Sequence, residues 1–188
     1  MAEKYKENIL FRPLMEMSGK IKQASRAARA SRKSFPTQNY SGLVGSVQDS
    51  LPGASGRVTT PYGGSTRYEK FHPGIDIANN IGTPVGAFTP GTVTGVSMGK
   101  KQGDPGYGNY VIVTDQYGAQ HYYSHLARTY VPIGTQVTRG MILGTIGATG
   151  QTYSPSGKGS GAHLDYRIRD AYKQYVNPSS YLSQYKFT

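Results

Sequence analysis

From residue 57 onward, short runs of β-branched and aromatic residues alternate with Gly/Pro turns. The runs are Ile75–Ala78, Pro84–Phe88, Thr92–Met98, Asn109–Asp115, Ala119–Leu126, Met141–Ile146 and His163–Arg169. Such punctuation is the mark of antiparallel strands joined by tight turns. A composition of 25 Gly and 16 Tyr with no Trp points the same way. The expected fold is mainly β, an antiparallel sheet or sandwich-like domain. Within it, Tyr110–His125 reads as a hairpin turning at Gln116–Gly118. Alternation along its second strand puts His121, Tyr123 and His125 on one face. Near the end, Asn177-Pro178-Ser179-Ser180 reads as the capped start of a short helix.

A chain of 188 residues has room for one well-cored domain and an appendage. Three segments are expected: a basic arm over 1–34, a Gly/Ser-rich linker over 35–55, and the β domain over 56–188. The arm has helical composition broken at Pro13, and its second half is too poor in large apolar residues to hold itself in place, so it is expected to be helical or disordered. The net charge of +11 is concentrated there: residues 1–35 carry nine Lys/Arg against three Glu. That excess favours anionic partners, among them nucleic acid bound non-specifically through residues 20–33, and acidic wall polymers. Ile9, Leu10, Phe11, Leu14, Met15 and Met17 would let the arm dock on a larger assembly or an anionic surface. With no cysteine, neither disulfides nor thiolate ligands are available. No stretch is long and apolar enough to span a membrane, and the N-terminus lacks the pattern of a secretory signal.

Three segments carry candidate chemistry. Phe71-His72-Pro73-Gly74-Ile75-Asp76 offers an imidazole and a carboxylate around a Pro-Gly turn. Ala162-His163-Leu164-Asp165 offers another pair, spaced i, i+2 on a strand and so pointing to one face. Tyr123-Ser124-His125 adds a further histidine. Nitrogen and carboxylate donors suit Zn²⁺, and a catalytic zinc needs three protein ligands and an open position. His72, Asp76 and one member of the His163/Asp165 pair would supply the three. His121 lies four residues from His125, about 13 Å along a strand, and is not expected to take part.

The order of these motifs resembles the lysostaphin-type (LytM-like) peptidoglycan endopeptidases. The likeness runs from Gly56-Arg57-Val58-Thr59 through Phe71–Ala78, Gly82-Thr83-Pro84-Val85, Gly108-Asn109-Tyr110-Val111 and Tyr123-Ser124-His125-Leu126 to Gly161–Asp165 and Asn177-Pro178. The resemblance implies a zinc metalloendopeptidase cutting peptide cross-links or stems of bacterial peptidoglycan, with His72 and Asp76 as metal ligands and His125 and His163 as catalytic residues. The third ligand expected from the family is a histidine, and Asp165 stands in its place. The resulting His/Asp/Asp shell is harder, so weaker binding of zinc, slower turnover and some tolerance of Mn²⁺ or another divalent ion are expected. Tyr68 or Tyr62 is a candidate oxyanion donor. A virion-borne or lysis-released wall-degrading protein is the expected setting. The alternative is a degenerate structural or wall-binding module that keeps the fold and has lost the reaction.

Overall fold

The computed structural model describes residues 56–154, 156 and 159–185. The expected arm and linker over 1–55 lie outside the described residues. Among the described residues, eleven strands and one helix follow in chain order. They are β1 (Arg57–Thr60), β2 (Gly74–Ala78), β3 (Pro84–Gly86), β4 (Gly91–Ser97), β5 (Tyr110–Thr114) and β6 (Gln120–Ser124). After these come β7 (Leu126–Thr129), β8 (Gln136–Val137), β9 (Ile142–Ile146), β10 (His163–Arg169), β11 (Tyr175–Val176) and helix α1 (Pro178–Gln184). The fold is mainly β and antiparallel, as expected.

The larger sheet runs β1-β2-β10-β6-β5-β4-β8, and β11 continues along the edge of β10 beyond the end of β2. A smaller sheet has the order β3-β9-β7. One apolar cluster joins them: Ile75, Ile77, Leu164, Tyr166 and Ile168 of the large sheet meet Val85, Leu126, Leu143 and Ile146 of the small one. At its centre Phe88 packs edge-on against Tyr123 and Tyr166, with centroids 5.3 and 4.4 Å apart. The Tyr123 hydroxyl accepts the Phe88 N–H at 2.8 Å, so this buried polar atom is satisfied.

Alternation on β2 and β10 divides their side chains cleanly. Ile75 and Ile77 face the core beside Leu164, Tyr166 and Ile168, which leaves Asp76, His163, Asp165 and Arg167 on the opposite face. The register sets Asp76 directly opposite Asp165. The hairpin turns after Asp115, whose Oδ1 accepts the N–H groups of Tyr117 and Ala119, both at 2.9 Å, while Gly118 takes the left-handed conformation at φ 79°. Helix α1 starts as expected, with Asn177 as N-cap and Pro178 in the first turn.

The run Ala119–Leu126 is not a single strand. It breaks at His125, where φ is 61°, and the chain passes from β6 of the large sheet to β7 of the small one. His121 and Tyr123 do share the core face, but His125 does not, because the left-handed residue reverses the alternation.

Candidate metal centre

The Pro-Gly turn ends in β2, so His72 sits at the mouth of the strand that carries Asp76. Both are buried, and so is Asp165 on the neighbouring strand. One donor atom from each of these three side chains lies within 4.8 Å of the others. His72 Nε2 is 3.1 Å from Asp76 Oδ1 and 3.8 Å from Asp165 Oδ1. The closer pair is not aligned as a hydrogen bond, and both atoms are buried without a hydrogen-bond partner. Two carboxylates facing each other across a strand pair repel, and buried orphan donors and acceptors cost free energy. A divalent cation at this point would satisfy His72 Nε2 and Asp76 Oδ1 and offset both carboxylates. The donor set of imidazole nitrogen and carboxylate oxygens fits zinc.

Two further histidines, His125 and His163, close on the same point. His163 Nε2 is 3.7 Å from Asp76 Oδ1, and His125 Nε2 is 3.9 Å from Asp165 Oδ2. Their rings lie 4.7 Å apart. Each has its other nitrogen committed: His125 Nδ1 meets the Thr149 carbonyl at 2.7 Å and His163 Nδ1 the Gly161 carbonyl at 2.8 Å. A carbonyl can only accept, so Nδ1 carries the proton in each ring and the neutral tautomer presents Nε2 as the basic atom. The His125 corner is fixed from behind, since Asn109 Nδ2 and Thr149 Oγ1 both donate to the Leu126 carbonyl, at 3.1 and 2.9 Å.

Charge placement differs between the histidines. Burial lowers the pKa of His125, and the neighbouring His163 lowers it further, so His125 stays neutral near neutral pH. Burial would lower His72 as well, but Asp76, Asp165 and Glu69 outweigh it and raise its pKa in the metal-free site. Asp76 is held below the ordinary carboxylate value, because His72 and His163 overcome the upward push of burial.

Two side chains bonded to the candidate ligands escaped the sequence analysis. Arg167, two residues after Asp165 on β10, is buried and binds both oxygens of Asp165. Glu69 precedes the Pro-Gly turn and accepts from Arg167 while its Oε2 lies 3.0 Å from His72 Nδ1. The i, i+2 spacing of Asp165 and Arg167 was a signal available in the sequence. Nothing local marked Glu69, whose Arg167 partner is 98 residues away. His121 is remote from the centre: its Nδ1 meets the Tyr166 hydroxyl at 2.7 Å and its Nε2 meets Asp115 at 3.0 Å, both buried. Of the two candidate oxyanion donors, Tyr68 lines the cleft above the centre, whereas the Tyr62 hydroxyl is directed to the Tyr175 carbonyl at 3.5 Å.

The cleft has a volume of about 900 Å³. One wall is the Ser65–Glu69 segment and the other includes Gln151, Tyr153 and Ser154, and the Arg67 guanidinium stacks over the Tyr153 ring at 5.0 Å.

A mainly antiparallel β domain with a buried His/Asp/Asp cluster under an open cleft has the form of a mononuclear metal centre. The sequence model described as Peptidase family M23 matches residues 70–178, and the chain belongs to this family. Among curated relatives, the DD-carboxypeptidase/endopeptidase Mpg of Neisseria meningitidis is 36% identical over 111 residues, covering 59% of this chain and 23% of its own. Lysostaphin of Staphylococcus simulans is 33% identical over 86 residues, covering 45% and 17%. The chain thus spans less than a quarter of the length of these relatives. Among solved structures, the catalytic domain of the prophage-encoded M23 protein EnpA from Enterococcus faecalis, a point mutant, superposes with a TM-score of 0.54 at 31% identity. The match covers 66% of this chain and 89% of that one.

Proposed function

We propose that the chain is a zinc-dependent endopeptidase acting on peptide cross-links or stems of bacterial peptidoglycan, with His72, Asp76 and Asp165 as metal ligands and His125 and His163 as catalytic residues. The observation that carries the reading is the convergence of three buried donors within 4.8 Å, with two further imidazole Nε2 atoms less than 4 Å from their carboxylates. Relatives described as a peptidoglycan DD-endopeptidase and a glycyl-glycine endopeptidase support the substrate class.

Bound zinc supplies Lewis-acid polarisation of a carbonyl and acidification of water. The chain's own residues supply the rest. In their neutral tautomers His125 and His163 present Nε2 atoms to the cleft, where they can orient the attacking water, accept its proton and pass one to the leaving amine. The cleft walls would hold the peptide over the centre. Arg57 and Arg67 make the entrance cationic, which suits an acidic peptide or wall polymer. A phage-borne or lysis-released wall-degrading protein, held near its target by the basic residues of 1–34, is the setting we favour. It is supported by the 31% identity to a prophage-encoded catalytic domain.

One observation favours the alternative of a catalytically silent wall-binding module: Arg167 already occupies both oxygens of Asp165. The deciding experiment measures zinc content and peptidoglycan hydrolysis in the native chain and in Asp165→His and His72→Ala. The proposed function requires about one zinc per chain and release of wall peptides by the native protein, both lost in His72→Ala. Metal and hydrolysis confined to Asp165→His would establish the silent module instead.

A further inference from the structure

We infer that Arg167 and Glu69 are positioning residues of the metal centre: one guanidinium orients the Asp165 carboxylate and, through Glu69, the His72 ring, so that two of the three ligands are held in one network. The inference rests on the metal reading above.

The geometry uses two edges of the same planar cation. On one edge, Arg167 Nε donates to Asp165 at 2.9 Å and Nη2 lies 2.7 Å from Oδ2. On the other, Nη1 and Nη2 donate to the two Glu69 oxygens at 2.9 and 3.0 Å. Glu69 then accepts from His72 Nδ1 at 3.0 Å, which sets that ring's tautomer and turns Nε2 toward Asp76 and Asp165. The guanidinium lies 4.9 Å above the Tyr107 ring, so its open face is covered. Gly74, paired with Arg167 across β2 and β10, leaves the room it needs: a Cβ there would stand 2.6 Å from Arg167 Cγ and 3.0 Å from Asp165 Oδ1.

The charges agree with this role. Glu69, Asp76 and Asp165 bring three negative charges and Arg167 one positive, which leaves two to be matched by a divalent ion if the imidazoles are neutral. Each Asp165 oxygen that accepts from Arg167 keeps further lone-pair capacity, so the clamp and a metal can share the carboxylate. The competing possibility is that Arg167 is a blocking cation that fills the place of the metal. The two predict opposite signs.

The test is a zinc titration, followed calorimetrically against a competing chelator, on the native 188-residue chain and on Arg167→Met, Arg167→Lys and Glu69→Gln. Thermal unfolding of the metal-free forms is measured in parallel. The clamp predicts zinc affinity 10- to 100-fold lower in Arg167→Met, the range for supporting residues of a metal site. Glu69→Gln should also weaken zinc binding, and its half-exposed position lets the chain fold even if Arg167→Met does not. Arg167→Lys should recover only a minor part of the loss, because a point charge cannot bridge two carboxylates edge by edge. In an Asp165→His background, Arg167→Met should cost less affinity than in the native one, since the cation then orients only His72, through Glu69. Equal losses in both backgrounds would reduce Arg167 to a general structural residue. Unchanged or tighter zinc binding by Arg167→Met or Glu69→Gln in the native background overturns the clamp alone. A native chain that takes up no zinc overturns the metal reading itself, and the clamp with it.

Discussion

At His125 the backbone enters the left-handed region, and this carries the imidazole from the core face, where alternation would leave it, to the cleft face. Few side chains other than Gly, Asn and Asp take that conformation readily. His125→Asn therefore keeps the corner and removes the basic nitrogen. It and His163→Gln are expected to lower kcat for peptide hydrolysis by about 100-fold or more while zinc stoichiometry stays at the native value, which elemental analysis beside a turnover assay would check. A parallel loss of metal would instead place these residues among the ligands. The positions His72, Asp76, His163 and Asp165 were legible in the sequence because a turn and a strand fix their spacing locally. His125 was legible as a residue but not in its direction, since a single backbone torsion reverses the alternation. The Glu69–Arg167 pair was hidden because it is made by the register of distant segments.

The hairpin of β5 and β6 is tied to its surroundings through one carboxylate. Asp115 closes the turn, meets His121 on β6 at 3.0 Å and accepts the Tyr181 hydroxyl of α1 at 2.7 Å. Burial pushes its pKa up, but the hydrogen bonds from His121 and Tyr181 outweigh that and hold it below the ordinary 3.8. A carboxyl whose folded pKa is depressed contributes stability above its unfolded value and loses it as pH falls through the folded one. Asp115→Ala should cost about 3 kcal/mol at pH 7, as expected for a buried ionic partner removed. Urea unfolding should show the gap to the native chain closing below about pH 3.8. A gap that does not change with pH would mean that Asp115 acts through turn geometry alone. The seven runs seen in the sequence correspond to β2, β3, β4, β5, β6, β9 and β10. The short β8 and β11, two residues each, carry no periodicity of their own and exist only through their partners. The split of β6 from β7 was masked by an unbroken β-forming composition.

On the scale of the whole molecule, every described strand and the shared apolar cluster fall within residues 57–185. A chain beginning at residue 56 is therefore expected to unfold in a single cooperative transition with a midpoint within a few degrees of the full chain. Residues 1–55 carry nine Lys/Arg and four Asp/Glu, so their removal should weaken adsorption to anionic wall polymer and flatten its salt dependence. Calorimetry and a salt series on both forms would check these outcomes, and a broad or early transition in the shorter form would show that the domain draws on the preceding segment.

The corner at His125 has one more consequence. It joins the eight-stranded sheet, which bears Asp76, His163 and Asp165 and is entered from His72, to a three-stranded sheet whose strands are only three to five residues long. Short strands with few ladder hydrogen bonds are expected to open before the centre of a large sheet does. Opening of the small sheet would swing away the His125 imidazole and leave the ligand residues His72, Asp76 and Asp165 in place. Under mild denaturant, amide hydrogens of β7 and β9 should exchange with solvent deuterium while those of β10 remain protected, and hydrolysis should fade with the first group. The enzyme would then switch off by local breathing well before it unfolds.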